Sequence, residues 1–231
     1  MNTTRPTPII SARGLTRIYS LGETSVTGLD RIDLDISSGA LAVLSGVSGS
    51  GKSTLLSLMA GLDRPSQGDI QVAGYDMTRA TEKMLTGFRR KVVGMVFQSF
   101  NLLPTLTVLE NTCLPAMLAG NTPAQIEPRA LELLHWLGLE RRLQHLPSQL
   151  SGGEMQRTAI ARALINEPGI ILADEPTGNL DSRNGQAVIE LLVELNRSWQ
   201  RTVVIATHST LADPYATLRL RLKDGRIQSQ S

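Results

Sequence analysis

At 231 residues, 41% hydrophobic and 19% charged, the chain has the composition of an ordinary globular protein with enough apolar material for one sizeable core. Its formal charge of +2 and the scatter of Lys and Arg along the sequence lack the clustered basic footprint of a nucleic-acid binder, so no nucleic-acid partner is expected. The single cysteine, Cys113, rules out an intramolecular disulfide and suits a reducing compartment.

The opening residues, MNTTRPTPII, have no charged head followed by a long apolar run, and no stretch of roughly 18 apolar residues occurs, so neither a signal peptide nor a membrane span is expected. Short β-like runs at 9–12, 25–29, 31–36 and 40–44 are separated by turn residues, and the last meets a glycine-rich segment directly. That segment, GVSGSGKST at 46–54, fits G-x-x-x-x-G-K-[ST], a loop whose backbone N–H groups cradle phosphates while a lysine reaches the terminal ones. Gly46, Ser48, Gly49, Ser50, Gly51, Lys52, Ser53 and Thr54 are therefore nucleotide-binding candidates, with Ser53 also a Mg²⁺ ligand. A helix over 52–60 would turn its free N–H groups toward the bound anion.

A strand over 68–73 closes at Gly74, and another over 92–98 ends at Gln98. The cluster Arg89, Arg90, Lys91 reads as a solvated helix end. Beyond Gln98 the periodicity becomes helical at 108–118 and 123–137, which suggests a helical insert over about 99–165 within an α/β core of about 1–98 and 166–231. Ser151, Gly152 and Gly153 then precede a helical stretch, placing a hydroxyl and bare backbone N–H groups at a helix start, where an anion binds readily. The core resumes with a strand at 169–173, a helix at 182–199, a strand at 202–206 and a terminal hairpin around Asp224 and Gly225.

Asp174 and Glu175 follow the apolar run IILA. Alone, the pair reads better as a capped turn; with a phosphate loop upstream, paired carboxylates at a strand end fit a magnesium-dependent hydrolase, one serving the metal and the other the water.

This ordered set, GVSGSGKST, LSGGE and IILADEPTGNLD, resembles the ATP-binding subunit of ABC transporters, and the likeness runs from Tyr19 to His208. It implies an α/β fold in which a P-loop ATPase core carries an N-terminal antiparallel β-subdomain and an inserted α-helical subdomain. It assigns Asp174 to the Mg²⁺ shell, Glu175 to polarising the attacking water, Gln98 to sensing Mg²⁺ and the nucleophile, and His208 to sensing the γ-phosphate. Tyr19 matches the aromatic on which adenine stacks, and Asp181 the segment that communicates between two sites. Ser151, Gly152 and Gly153 would face the γ-phosphate of ATP on a second copy, so a homodimer would sandwich two ATP molecules. Where the family often follows its histidine with an acidic residue, this chain has Ser209.

The stretches GLDRPSQGDI and VGMVFQSFNLLPTLTVLENTCLP are similar to the branch that powers lipoprotein release and macrolide or peptide export. A separate transmembrane permease is therefore expected as partner, with the chain peripheral on the cytoplasmic face of the inner membrane. The apolar run after Gln98, including Phe100 and Leu103, is either core of the insert or the receptor for a short permease helix. The competing role is a soluble ABC ATPase in cofactor assembly or DNA repair. The long coiled coils of the repair enzymes are not seen between the P-loop and the LSGGE segment.

Overall fold

The computed structural model describes residues 7–22 and 24–231. Two sheets form. The first is antiparallel, in the order β2-β1-β4-β5, from β1 (Ile10–Leu21), β2 (Thr24–Ile36), β4 (Gln67–Val72) and the two-residue β5 (Tyr75–Asp76). The second has the order β10-β9-β3-β8-β7-β6, built from β3 (Leu41–Ser45), β6 (Val93–Phe97), β7 (Ile170–Asp174), β8 (Thr202–Thr207), β9 (Leu218–Lys223) and β10 (Arg226–Gln230). Its pairs are parallel except β9 with β10.

In β3, β7 and β8 nearly every residue is buried, as a parallel sheet covered on both faces requires. Alternate residues face opposite sides. Ala42, Leu44, Leu172 and Val204 join the core shared with α1 (Lys52–Met59) and the antiparallel sheet, whereas Val43, Ile171, Ala173 and Ile205 join the core under the other helices.

Those helices are α3 (Val108–Leu118), α4 (Pro123–Trp136), α5 (Gly152–Leu164) and α6 (Ser182–Arg197). α5 packs against α3 and α4 on one side and against β6 and α6 on the other. It comes so close to β6 that a Cβ on Gly94 would lie 2.5 Å from the carbonyl oxygen of Ala163.

The structure departs from the sequence reading in three places. The runs at 25–29 and 31–36 are one strand, β2, because a left-handed Arg31 (φ 50°) absorbs an irregularity in its pairing with β1 without ending it. β1 extends to Leu21 through register shifts and a left-handed Gly14, so Tyr19 lies on a strand opposite Val26. The helix α2 (Glu82–Lys91) has no counterpart in the reading beyond its basic end. It buries only Leu85 and Phe88 and is polar elsewhere, and it starts because Thr81 accepts the Met84 N–H. Arg89, Arg90 and Lys91 sit in its last turn, where positive charge suits the helix dipole.

Gly94→Ala should cost about 1–3 kcal/mol, the usual penalty for overpacking, since the intruding methyl meets helix backbone. Thermal unfolding measures this; an unchanged melting temperature would contradict the close approach of α5 to β6.

Candidate nucleotide-binding site

β3 delivers residues 46–51 to the start of α1, and glycine is needed where the loop turns. Gly51 is left-handed (φ 103°), and a Cβ there would stand 2.5 Å from the carbonyl oxygen of Gly28. The loop forms one wall of a cleft of about 700 Å³, within the usual size of small-molecule sites. Tyr19, Ser48, Gly49, Ser50, Gly51, Lys52, Ser53, Thr54, Gln98, Glu175 and His208 line this cleft together. Gly46 joins through its carbonyl, which accepts from Lys52 Nζ at 2.8 Å.

Lys52 is almost fully buried. Its ammonium also donates to the Val47 carbonyl at 3.2 Å and lies 3.4 Å from Glu175 Oε1. Glu175 Oε2 in turn meets His208 Nδ1 at 2.9 Å and accepts the His208 backbone N–H at 3.2 Å. Glu175 is itself left-handed (φ 45°), a strained backbone for a non-glycine residue, and its N–H donates to the Ala206 carbonyl on β8. Ser209 needs no acidic side chain to organise its turn: its N–H donates to Thr207 Oγ1 and its hydroxyl accepts from Leu211 N–H.

Asp174 Oδ1 accepts from Ser53 Oγ at 2.9 Å. Burial pushes the Asp174 carboxyl above its ordinary range, and neighbouring Glu175 adds to this, against the Ser53 hydrogen bond and Lys52. Charge here is thus expensive until a cation answers it. Two hard oxygens 2.9 Å apart fit adjacent corners of a Mg²⁺ octahedron, whose ligand distances of about 2.0–2.1 Å place cis oxygens at about 2.9 Å.

On β1, Tyr19 is clamped from two directions. Its hydroxyl donates to Asp63 Oδ2 at 3.0 Å, and the Arg17 guanidinium sits 4.5 Å from its ring centroid.

Ser151, Gly152, Gly153 and Asp181 do not line this cleft. Ser151 caps α5 in a reciprocal box: its hydroxyl accepts from the Glu154 N–H, and Glu154 Oε2 accepts from both the Ser151 N–H and hydroxyl at 2.8 Å. The Ser151 backbone hydrogen bond, with Arg142 at 2.8 Å, holds the Glu154 carboxyl down at about 2. Asp181 caps α6 by accepting from Asn184 N–H at 2.9 Å, and that bond lowers its carboxyl. Asn184 then leans on the other cap, because a Cβ on Gly153 would lie 2.5 Å from its Oδ1.

Gln98, just past β6, packs its amide so closely on Gly178 that a Cβ there would sit 2.6 Å from Nε2, while its carbonyl accepts from Asn179 Nδ2. After it, Phe100 and Asn101 are both left-handed (φ 59° and 50°), and both carbonyls accept from the Arg162 guanidinium of α5. Sequence reasoning missed Arg162 and Asn184. Arg162 is detectable in principle as a charge among the buried Ala159, Ile160, Ala161 and Leu164, but its backbone partners are about sixty residues away in the chain and carry no side-chain signature.

The family described as ABC transporter matches residues 29–178. The chain belongs to the ABC transporter family. It is 43% identical to the lipoprotein-releasing system ATP-binding protein LolD of Xanthomonas axonopodis pv. citri, over 88% of this chain and 84% of that protein. It is 45% identical to the macrolide export ATP-binding/permease protein MacB of Wolinella succinogenes over 95% of this chain, which spans 34% of that longer protein. The ATP-binding cassette MJ0796, solved as a dimer in a post-hydrolysis state with ADP and Pi, superposes with a TM-score of 0.89 at 39% identity, covering 96% of this chain and 97% of that one. The fold is accordingly that of an ABC ATPase, with ATP as substrate and Mg²⁺ as cofactor.

The depressed Glu154 carboxyl sets a pH window. A carboxyl lowered by folding adds stability that is complete above its unfolded value and lost as pH falls from about 4.5 toward about 2. Glu154→Gln should flatten that part of the stability curve, as followed by denaturant unfolding at stepped pH; an unchanged slope would show that Glu154 does not link the α5 cap to acid stability.

Proposed function

We propose that the chain is the ATP-hydrolysing subunit of a transporter in the branch of LolD and MacB, that two copies close head to tail around two ATP molecules, and that closure drives a separate permease. One observation carries the dimer: the P-loop cleft is formed, yet Ser151, Gly152 and Gly153 at the capped start of α5 do not line it, so a second copy would supply that segment to each cleft.

In each composite site the backbone of residues 49–54 wraps the phosphates, and Lys52 leaves its loop carbonyls to meet the terminal ones. Ser53, Asp174 and Gln98 would hold Mg²⁺, which would supply positive charge against the phosphates. Adenine stacks on Tyr19, a contact of about 1–3 kcal/mol by analogy with base-stacking platforms. Glu175 orients the water and accepts its proton, and His208, already hydrogen-bonded to Glu175, senses the γ-phosphate and relays its presence. Ser151, Gly152 and Gly153 of the second copy cap the γ-phosphate, and Asp181 links the two sites.

The permease contact falls in a cleft of about 350 Å³ beside β6, where Leu62, Met95, Phe97 and Pro115 meet Arg89, Arg90 and Arg162. Neither Phe100 nor Leu103 lines it. Phe100 approaches Gly152 and Val108 is core, while Leu103 is exposed, so this cleft joins the run after Gln98 as a docking address. Leu62 is half exposed at the rim. No helix among the described residues is long and apolar enough to cross a membrane, so residence at the cytoplasmic face would come through this contact.

Glu175→Gln should bind ATP, lose about 10²–10⁴-fold in turnover and accumulate as an ATP-bound dimer in light scattering; wild-type turnover would remove Glu175 from the chemistry. Ser151→Arg should bind ATP yet stay monomeric, and ATP-dependent dimers of that variant would overturn the composite site.

The partner is tested separately. The chain should co-purify with a multi-span membrane protein, and Leu62→Asp should abolish that recovery while leaving basal ATPase activity intact. Recovery unaffected by Leu62→Asp would move the docking site elsewhere.

A further inference from the structure

Behind the phosphate loop three distant segments meet. The hairpin between β9 and β10 turns through left-handed Asp224 and Gly225 (φ 50° and 74°), a two-residue turn suited to the twist of the strands. Gly225 N–H donates to the Ser50 carbonyl of the phosphate loop at 3.1 Å, and the Gly225 carbonyl accepts from the Asp30 N–H of β2 at 2.8 Å. Arg226 Nε pins the same corner by donating to Asp30 Oδ2 at 2.8 Å.

The β2 side of this junction is also the wall that holds the aromatic ring. A Cβ on Gly28 would lie 2.9 Å from Tyr19 Cε2 and 3.2 Å from Thr54 Oγ1, and the Gly28 carbonyl crowds both Gly51 and Gly225. Gly28 is therefore wedged between the ring, the first turn of α1 and the hairpin. Movement of the hairpin would change the gap between ring and phosphate loop.

We propose that the Asp224–Gly225 turn is a positioning element for nucleotide binding: by tying Ser50 to Asp30 through its own peptide groups, it fixes the separation between the Tyr19 platform and the phosphate loop. This rests on reading Tyr19 as the base platform. An L-residue at 225 is strained by its positive φ, and its Cβ would press on Gly28 O and Leu29 Cα at 3.1 Å, driving β2 away from the loop.

The test compares Mg-ATP with inorganic tripolyphosphate, which has the phosphates and no base, by calorimetry on the full chain. Gly225→Ala should weaken Mg-ATP about five-fold, leave tripolyphosphate within about two-fold, and raise KM with kcat kept. Should Gly225→Ala fail to fold, Asp30→Arg leaves the turn intact. It should raise KM for ATP about three-fold, and adding Arg226→Asp should restore it. Equal weakening of both ligands, or no change in either, overturns the positioning role, as does a failed rescue. Tyr19→Ala separates the two readings: if it leaves the preference for ATP over tripolyphosphate unchanged, the platform itself is wrong, whereas a lost preference there and none in Gly225→Ala sinks the turn alone.

Discussion

Two adjacent carboxylates at the carboxyl end of a central buried strand set the terms for the rest of this molecule. β7 has neighbours on both sides and cores on both faces, so Asp174 and Glu175 emerge where water cannot easily satisfy them. The fold answers with positive and hydrogen-bonding groups from two other elements: Lys52 and Ser53 from the start of α1, and His208 from the end of β8. Each is carried there by a parallel strand of the same sheet, which brings their carboxyl ends to one edge. The same charges that make the edge costly to build make it receptive to a metal and a polyphosphate.

The chain also binds one half-site to the other internally. Gln98 rests on Gly178, Phe100 approaches Gly152, and Asn184 abuts Gly153, so the glutamine that faces one cleft is in packing continuity with the caps that would face the next. Arg162 closes this cluster by holding the Phe100 and Asn101 carbonyls to α5. Glycine permits two of these contacts: a Cβ at 178 or 153 would come within 3 Å of the Gln98 amide or the Asn184 side chain.

Most of the nucleotide cleft was legible in the sequence because its chemistry is local. A loop that must wrap phosphate needs its glycines and lysine consecutive, and a strand that must deliver two carboxylates ends in them. The fold was legible where burial is two-sided, as in β3, β7 and β8, and at α3, whose limits coincide with the periodic run. It was obscure where a single residue carries a conformational exception. Asp30 looks like a break between strands, and only the pairing with β1 shows a bulge. α2 hides behind its polar composition, and Arg162 and Gly225 hold backbone far away in sequence, which no spacing records.

The protein's two tryptophans come from separate layers and meet. Trp136, at the end of α4, lies 4.9 Å centroid to centroid from Trp199, just beyond α6, with its indole N–H on Glu194 and with Arg129 over the Trp199 ring. α4 belongs to the helices between the phosphate loop and the LSGGE segment, and α6 to the helices that cover the sheet. All of the indole emission of this chain therefore originates at one seam between them, and its intensity and quenching are a built-in optical gauge of how those two layers move against each other.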